Sequence, residues 1–528
     1  MSPSHPRPVP EASAPGGWPP RAEVREPLSP GSLAALPIDP DALGSLPKEF
    51  VQRHRVLPIH LGDGLLTIAT AHPGNDRISD DIRLLTGLEV SERQAPEGEI
   101  TERIAECYQV TVERMIENFD PSHGTGAEAK NLHDIEVMAN EPTVVNLVNL
   151  IIATALRERA SDIHLLPFEN SLQLRYRIDG LLQENSPPPK PLHAALVSRI
   201  KIMADMNIAE RFLPQDGHIQ IHHRGARVDI RVGTMPNIHG ESMVMRLLVK
   251  DEKLQHPREL GLGTERADQL EHMIARPHGL FLTTGPTGSG KTTTLYSILQ
   301  GLNAPEKKVV TIEDPVEYEL AGISQIPVRP SRGFTFASGL RAILRQDPDI
   351  IMVGEIRDAE TAEIAIRAAL TGHQVFSTLH TNDAPSAITR LIDMGIEPFL
   401  ISSSLEGVLG QRLVRRICPA CRRPAPITAT VRAKLETLGG RRLEGEFFEG
   451  AGCDECRGGY RGRVGIFELL VITPSLRELI LKKGSAVELR SRAQRHMITL
   501  QQDALRKAAD GITTLDEIVR VCASEAQE

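Results

Sequence analysis

Aromatic side chains are scarce in this 528-residue chain: they make up 3% of it, with a single tryptophan, Trp18. That scarcity argues against a carbohydrate-binding or base-stacking surface, since both are built on aromatic faces. Positive charge is not in excess either. Sixty Lys and Arg stand against 69 Asp and Glu, for a net charge of −9. Nucleic acid is therefore not expected as the main partner. No stretch of about 18 apolar residues occurs, so no transmembrane helix is expected. The most apolar segment, Val144 to Leu156, is interrupted by Asn146 and Asn149 and reads as a half-buried helix. The first residues lack the apolar core of a signal peptide. Six cysteines in a chain this long do not form a disulfide scaffold. The expected location is a reducing one, the cytosol.

What is present centres on residues 279–294. A short apolar run leads into GPTGSGKT, Gly285 to Thr292, a full G-x-x-x-x-G-K-[ST] phosphate-binding loop. Glycines let backbone N–H groups curl around phosphate oxygens with no Cβ in the way. The helix that follows starts with unpaired N–H groups and a partial positive charge, which favour an anion. The expected nucleotide contacts are Gly285, Pro286, Thr287, Gly288, Ser289, Gly290, Lys291, Thr292 and Thr293. Lys291 can reach the β and γ phosphates, and the Thr292 hydroxyl can bind Mg²⁺. The chain is expected to bind a nucleoside triphosphate, with ATP and Mg²⁺ as the natural pair.

Residues 1–38 contain ten prolines and read as a disordered tail. Residues 39–119 read as a small mixed docking domain with no catalytic constellation; Cys107 in it reads as a lone buried thiol. A linker follows at 120–132, where DPSHGTG punctuates the chain. Residues 133–252 read as an α+β domain, a helix and then strand-like runs. Arg175, Arg177, Arg227, Arg231 and Arg246 recur in or beside those strands. They form either a solvated sheet face or a face that supplies positive charge to phosphates. Residues 257–415 alternate helix with strand, the pattern of a parallel α/β sheet covered on both faces.

Three further constellations fall at the ends of expected strands in that region, where such sheets hold their ligands. VVTIEDPVE ends in Glu313, Asp314 and Glu317, acids whose crowding calls for Mg²⁺ or an attacking water. DIIMVGE is a Walker B strand with Gly354 at the usual aspartate position, so Glu355 supplies its carboxylate. TGHQVFSTLHT places His373 before a buried strand and His380 at its end, and both read as phosphate contacts or relays between subunits.

Cys418-Pro-Ala-Cys421 and Cys453-Asp-Glu-Cys456 form two C-x-x-C knuckles 31 residues apart. Four thiolates suit a tetrahedral structural Zn²⁺, and leave no open position on the metal. The long insert between them is expected to carry its own small hairpin or helix. Residues 457–528 read as mainly helical, with helical spacing at 475–483, 486–494, 500–509 and 514–521. Cys522 carries no expected role.

Taken together these motifs resemble the secretion ATPase superfamily: the type II secretion E-type ATPases, the type IV pilus assembly ATPases and the pilus retraction ATPases. The resemblance spans residues 45–528. It rests on TIEDPVEY, LRQDPDIIMVGEIRD, TGHQVFSTLHTN, QRLVRRICPAC and GGYRGRVGIFELL, and upstream on RASDIHLLPFE, RYRIDG, IAERFLPQDGH and RVDIRVGTMPNIHGE. Leu166 stands where the family commonly has an acid, and His218 where it has an arginine. The resemblance implies a RecA-like ATPase core behind the α+β domain, then a zinc region at 416–460 and a helical region at 461–528. It implies ATP hydrolysis with Lys291, Glu313 as general base, Glu355 on the Mg²⁺ shell, and Arg227, Arg231, Arg341 and Arg345 as stabilisers of transition-state charge, with His380 nearby. It also implies a homo-hexamer on the cytoplasmic face of the bacterial inner membrane. Its expected partners are the cytoplasmic domain of an L-type platform protein and an F-type platform protein.

Retraction ATPases lack both the first N-terminal domain and the tetracysteine site. LPKEFVQRHRVLPI and DDIRLLTGLEV resemble the first domain of type II secretion ATPases. The expected function is therefore to drive pseudopilus assembly and protein export through the outer membrane by a type II secretion system. Type IV pilus assembly is the alternative. A RecA-like nucleic-acid motor and an ATP-binding scaffold without hydrolysis are readings of other classes.

Overall fold

The structure, a computed structural model, describes residues 23–25, 33, 36–46, 50, 51, 54–62, 64–74, 76–108, 138–140, 142–223, 226–249, 256–428, 431–433, 446–494 and 496–522. Most of the proline-rich stretch, with Trp18, and all of the expected linker at 120–132 lie outside them. The chain divides into two compact units, Met1–Lys130 and Asn131–Glu528.

The first unit is a four-stranded sheet with helices. Its strands are β1 (Glu23–Arg25), β2 (Val56–Gly62), β3 (Leu65–Thr70) and β4 (Glu89–Gln94), ordered β1-β4-β3-β2. The helices are α1 (Pro40–Ser45), α2 (Asp76–Thr86) and α3 (Glu97–Tyr108). Val56, Leu57, Ile59, Leu66, Ile68, Ile82, Val90, Ile100 and Ile104 meet in one core. Glu92 is buried in β4 and accepts hydrogen bonds from the Gly74 N–H at 2.6 Å and from the Ser79 hydroxyl. Cys107 is half-buried rather than buried, because it lies in the last turn of α3.

The second unit opens with α4 (Pro142–Arg157) and α5 (His193–Met203). They pack on an antiparallel sheet of β5 (Ala160–Pro167), β6 (Leu172–Ile178), β7 (Leu181–Asn185), β8 (Gln215–His223), β9 (Ala226–Asn237) and β10 (Gly240–Val249). Strand order is β7-β6-β5-β10-β9-β8. Alternation assigns the faces. Leu172, Leu174, Tyr176 and Ile178 of β6 are buried, as are Val228, Ile230 and Val232 of β9. Arg175, Arg177, Arg227 and Arg231 fall on the other face by parity.

The motor domain is a seven-stranded sheet, ordered β13-β12-β14-β15-β11-β16-β19. It comprises β11 (Gly279–Thr284), β12 (Val309–Glu313), β13 (Ser324–Pro327), β14 (Ile350–Val353), β15 (Gln374–Leu379), β16 (Leu405–Ile417) and β19 (Tyr460–Val471). All neighbours are parallel except β16 and β19. The helices among them are α6 (Thr264–Ile274), α7 (Lys291–Leu302), α8 (Phe336–Ile343), α9 (Ala359–Leu370), α10 (Ala384–Asp393) and α11 (Pro398–Ser404). Every residue of β11, β12, β14 and β15 is buried, in keeping with their mainly apolar sequences and lack of polar alternation. Full burial of each large apolar side chain contributes about 1.5–3 kcal/mol.

The end of the chain differs from the expected helical region. β19 occupies Tyr460–Val471 and pairs along β16, so the motor sheet continues past residue 461. Its apolar run IFELLV is covered on both faces and carries no period-2 signal, and its pairing partner is remote in sequence. The four expected helices do form, as α12 (Pro474–Leu481), α13 (Ala486–Ala493), α14 (Leu500–Ala509) and α15 (Leu515–Cys522). Ser485 with Glu488, and Thr499 with Gln502, make capping boxes that start α13 and α14. Buried Glu468 on β19 accepts the first N–H of α10 at 3.0 Å and the first of α14 at 3.4 Å. Cys522 packs with Leu515 and Ile518 in the last core. A small hairpin, β17 (Arg422–Ala425) with β18 (Phe447–Gly450), occupies part of the insert between the cysteine knuckles.

Glu517 docks α15 onto β16. Its buried carboxylate accepts from the Arg415 backbone N–H at 3.0 Å, from Arg415 Nη2 at 2.8 Å and from Arg520. Burial acts to raise its pKa, but the hydrogen bonds from Arg520 and Arg415 outweigh that and hold it at about 2. The folded value lies below the unfolded one. The stabilisation is therefore present above about pH 5 and is lost as pH falls toward about 2. Glu517→Gln is expected to lower stability at neutral pH by about 2–3 kcal/mol. Denaturant unfolding of both proteins should show that gap closing across the acid range.

Candidate active site

The parallel strands β11, β12, β14 and β15 all end on one edge of the sheet, and the sequence constellations gather there. The phosphate loop follows β11, Glu313 ends β12, Glu355 lies just past β14, and His380 follows β15. Gly285 has φ +150° and Gly290 φ +87°. A Cβ on Gly285 would lie 2.3 Å from the Gln411 carbonyl oxygen, so only glycine fits where β16 crosses the loop. Lys291 begins α7, and its Nζ donates to the Gly285 and Pro286 carbonyls at 2.8 and 3.0 Å. Burial pushes its ammonium down to about 8; Glu355 acts in the opposite sense, and Arg412 adds to the drop.

Gly354 has a packing reason. A Cβ there would lie 3.2 Å from the Ile312 carbonyl and 3.3 Å from Glu313 Cα, too tight for the usual aspartate without moving β12. Glu355 is the next residue, at the same edge. It pairs with Arg357 at 2.5 Å and with His380 Nε2 at 3.2 Å. Arg357 also reaches Asp314 at 3.9 Å. This joins the ends of β12, β14 and β15 in one charged cluster beside Lys291.

Glu313, the base that the resemblance implies, lies at the buried end of β12. It is 2% exposed. Its carboxylate accepts from the Tyr296 hydroxyl, from Thr311 Oγ1 at 2.6 Å and from Gln325 Nε2 at 3.2 Å. Glu317, four residues on, is about one-third exposed and pairs with Arg231 Nη1 at 3.3 Å, while Arg231 Nη2 donates to the Val316 carbonyl at 2.6 Å. The polar face of the second domain thus reaches the motor through Arg231. The other arginines there pair locally: Arg227 with Asp229 at 3.4 Å, Arg246 with Asp162 at 3.0 Å, Arg175 with Glu184 at 3.1 Å. His218 lies opposite Arg231 in the sheet register and pairs with Asp229 at 3.5 Å.

Arg341 and Arg345 lie at and beyond the end of α8. Arg341 pairs with Glu360 at 2.6 Å, and Arg345 donates to the Arg341 carbonyl at 2.9 Å; both are exposed. His373 is not with the phosphate loop. β11 and β15 run parallel with Gly279 opposite Gln374, so His373 lies a strand length away from His380, at the opposite edge. There its Nδ1 bonds the Ala368 carbonyl at 3.0 Å and closes the end of α9. Sequence reading also missed Tyr296, Gln325, Gln411 and Arg412. Gln411 Oε1 holds the Thr294 hydroxyl at 2.8 Å, and Arg412 holds the Asn382 carbonyl at 3.2 Å. The QR pair at the head of QRLVRRICPAC is the sequence signal for the last two; nothing marks Tyr296 among the five tyrosines.

The antiparallel pair β16 and β19 brings the two cysteine knuckles together. Cys418 follows β16 and Cys456 precedes β19. All four Sγ atoms lie within 4.8 Å of one another. Three separations are 3.8 Å (Cys418 to Cys453), 3.7 Å (Cys421 to Cys456) and 3.6 Å (Cys453 to Cys456). A tetrahedron with Zn–S bonds of about 2.3 Å has edges of about 3.8 Å, so the set fits Zn²⁺. Backbone N–H groups of Gly452 and Cys453 point at Cys421 and Cys456 sulfurs at 3.3 Å, which suits thiolates. The knuckle also touches the second domain: Arg457 pairs with Glu158 at 2.5 Å, and the Gly462 N–H donates to Asp179 at 2.9 Å.

The lowered pKa of Lys291 carries a pH signature. Phosphate oxygens favour the charged ammonium, so its pKa in the nucleotide complex lies above about 8. Affinity for a fluorescent ATP analogue is expected to be flat below about pH 8 and to fall by up to about tenfold per unit above it. Lys291→Met should bind more weakly, without that pH dependence.

Residues 138–520 match the family described as "Type II/IV secretion system protein", and residues 27–114 match the MshEN domain. The chain is 44% identical over 497 residues to the type IV pilus assembly ATPase PilB of Myxococcus xanthus, covering 92% of this chain and 88% of that one. It is 48% identical over 389 residues to the type II secretion system ATPase E of Vibrio cholerae, covering 74% and 77%. The solved structure of the ATPase DotB of Legionella pneumophila shares the fold, with a TM-score of 0.53 at 23% identity over 71% of this chain and 95% of that one. No described helix is long and apolar enough to cross a membrane. With its phosphate loop, acid cluster and sheet order, this chain belongs to the type II/IV secretion system protein family and is a P-loop ATPase.

Proposed function

We propose that the chain is the hexameric ATPase of a type II secretion system, attached to the cytoplasmic face of the inner membrane and driving pseudopilus assembly. The observation that carries the energy-coupling part of this reading is the contact of Arg231 with Glu317. It ties the second domain to the loop that ends β12, so that hydrolysis and domain movement share a contact. The type II reading is supported by the 48% identity to the Vibrio ATPase. The full-length likeness to PilB supports the second reading, type IV pilus assembly.

In this reading ATP lies between the second domain and the motor. The loop from Gly285 to Thr293 and Lys291 hold its phosphates. Thr292 and Glu355 would hold Mg²⁺, which when bound neutralises phosphate charge. Glu317 takes the general-base role that the motif suggests for Glu313. Its exposure lets it accept a proton from water as the water oxygen attacks the γ-phosphorus and ADP leaves. Glu313 holds the loop from beneath. Arg231 and Arg227 supply positive charge from the second domain. In a ring, the exposed Arg341 and Arg345 of one subunit are available to the phosphates of the next. Platform proteins of the L and F types are the partners, and the first unit is the docking module.

The tetracysteine cluster holds a structural zinc. One zinc per chain is expected by atomic absorption. Cys453→Ser with Cys456→Ser should lower Tm by on the order of 5 °C while ATP-analogue affinity is retained. A chromosomal Lys291→Ala strain tests the biology. Exoproteins retained in the periplasm while surface pili persist is the expected result. Loss of pili with intact secretion would select the pilus assembly reading, and no change in either would remove both.

A further inference from the structure

Tyr296 is wholly buried, one and a half turns along α7 from Lys291, yet its side chain leaves the helix to meet the loop that ends β12. Burial, with Glu313 beside it, raises the phenol pKa, so the group keeps its proton at working pH. A protonated phenol has one donor and two acceptor positions. The donor goes to Glu313 Oε2. The oxygen accepts from the Glu317 backbone N–H at 3.3 Å and from Gln325 Nε2 at 3.3 Å. Every capacity of the hydroxyl is thus used, in a fixed direction. The ring stacks edge-on against Tyr318 with centroids 4.8 Å apart, which fixes where the oxygen lies. Gln325 closes the arrangement: the two hydrogens of its Nε2 are shared among the Tyr296 oxygen, Glu313 at 3.2 Å and the Tyr318 carbonyl at 3.1 Å, and its Oε1 accepts the Leu320 N–H at 2.6 Å.

From these contacts we infer that Tyr296 is a positioning residue for hydrolysis: its hydroxyl ties the backbone of Glu317 to the phosphate-loop helix and so fixes the general base relative to the nucleotide. Glu313 is the buried carboxyl group that orients the phenol, which accounts for its three donors and its 2% exposure. Arg231 holds the same loop through the Glu317 carboxylate and the Val316 carbonyl. The loop is therefore pinned to the motor by Tyr296 and to the second domain by Arg231.

The inference rests on the reading of Glu317 as the base, and a double-mutant cycle separates the two. Full-length wild type, Tyr296→Phe, Glu317→Gln and the double variant are compared in single-turnover hydrolysis of ATP with Mg²⁺. Affinity for a fluorescent ATP analogue is measured on each. Glu317→Gln is expected to slow hydrolysis at least about a hundredfold. Tyr296→Phe should slow it about tenfold with affinity unchanged, and the double variant should be no slower than Glu317→Gln alone. If the two losses multiply, or if Tyr296→Phe loses nucleotide affinity, the phenol merely supports the fold and the inference falls. If Glu317→Gln hydrolyses ATP normally, the base assignment itself is wrong and the inference goes with it.

Discussion

The active edge depends on how closely β16 approaches the phosphate loop. At Gly285 the Gln411 carbonyl occupies the space a side chain would need. That approach is possible only because the loop is glycine at this point. From the same strand, Gln411 braces the first turn of α7 through Thr294, and Arg412 braces the loop after β15 through Asn382. Further along, Arg415 receives Glu517 and Cys418 opens the tetracysteine cluster. One strand therefore connects the phosphate loop, the C-terminal helices and the tetracysteine cluster. The antiparallel partner β19 pairs along it and brings the second knuckle to the first.

Electrostatics at the edge follow from crowding. Lys291, Arg357, His380, Glu355 and Asp314 share a small region with a partly buried lysine at its centre. The acids temper the loss of hydration around the lysine, and the cations keep the acids from repelling one another. Glu313 is separated from this group by burial and by its three donors. A carboxylate so enclosed holds neighbouring backbone in place more readily than it meets a solvent water. Neighbouring acids in one motif thus differ in setting, Glu313 enclosed and Glu317 about one-third exposed.

The second domain shows how a sheet face acquires a role. Its arginines alternate with core residues, as any half-solvated sheet allows, and several of them pair only with local acids. Arg231 alone among those five spans to the β12 loop. The face is thus mixed: most of these arginines pair with acids of their own domain, and Arg231 pairs with the loop after β12. The contacts of Arg457 with Glu158 and of Gly462 with Asp179 add a second junction, next to the cysteine cluster.

The sequence by itself determined the local chemistry: the phosphate loop, the strand-end acids, the paired knuckles and the capped C-terminal helices. Each of these is a short-range pattern, in which spacing along the chain already constrains geometry. The tertiary structure decided what depends on remote partners. The placement of β19 in the motor sheet needed β16, and its doubly buried run had no alternation to announce it. Burial of Glu313 needed Tyr296 and Gln325, which no motif connects to it. His373 and His380 look alike in sequence, but the parallel pairing of β15 with β11 sends them to opposite edges of the sheet. Glycine at 354 reads as a lost acid until the backbone of β12 is seen to fill its space. The physical reason is the same in each case: pairing, burial and steric exclusion belong to pairs of segments far apart in the chain, and a single segment carries only its half of the interaction.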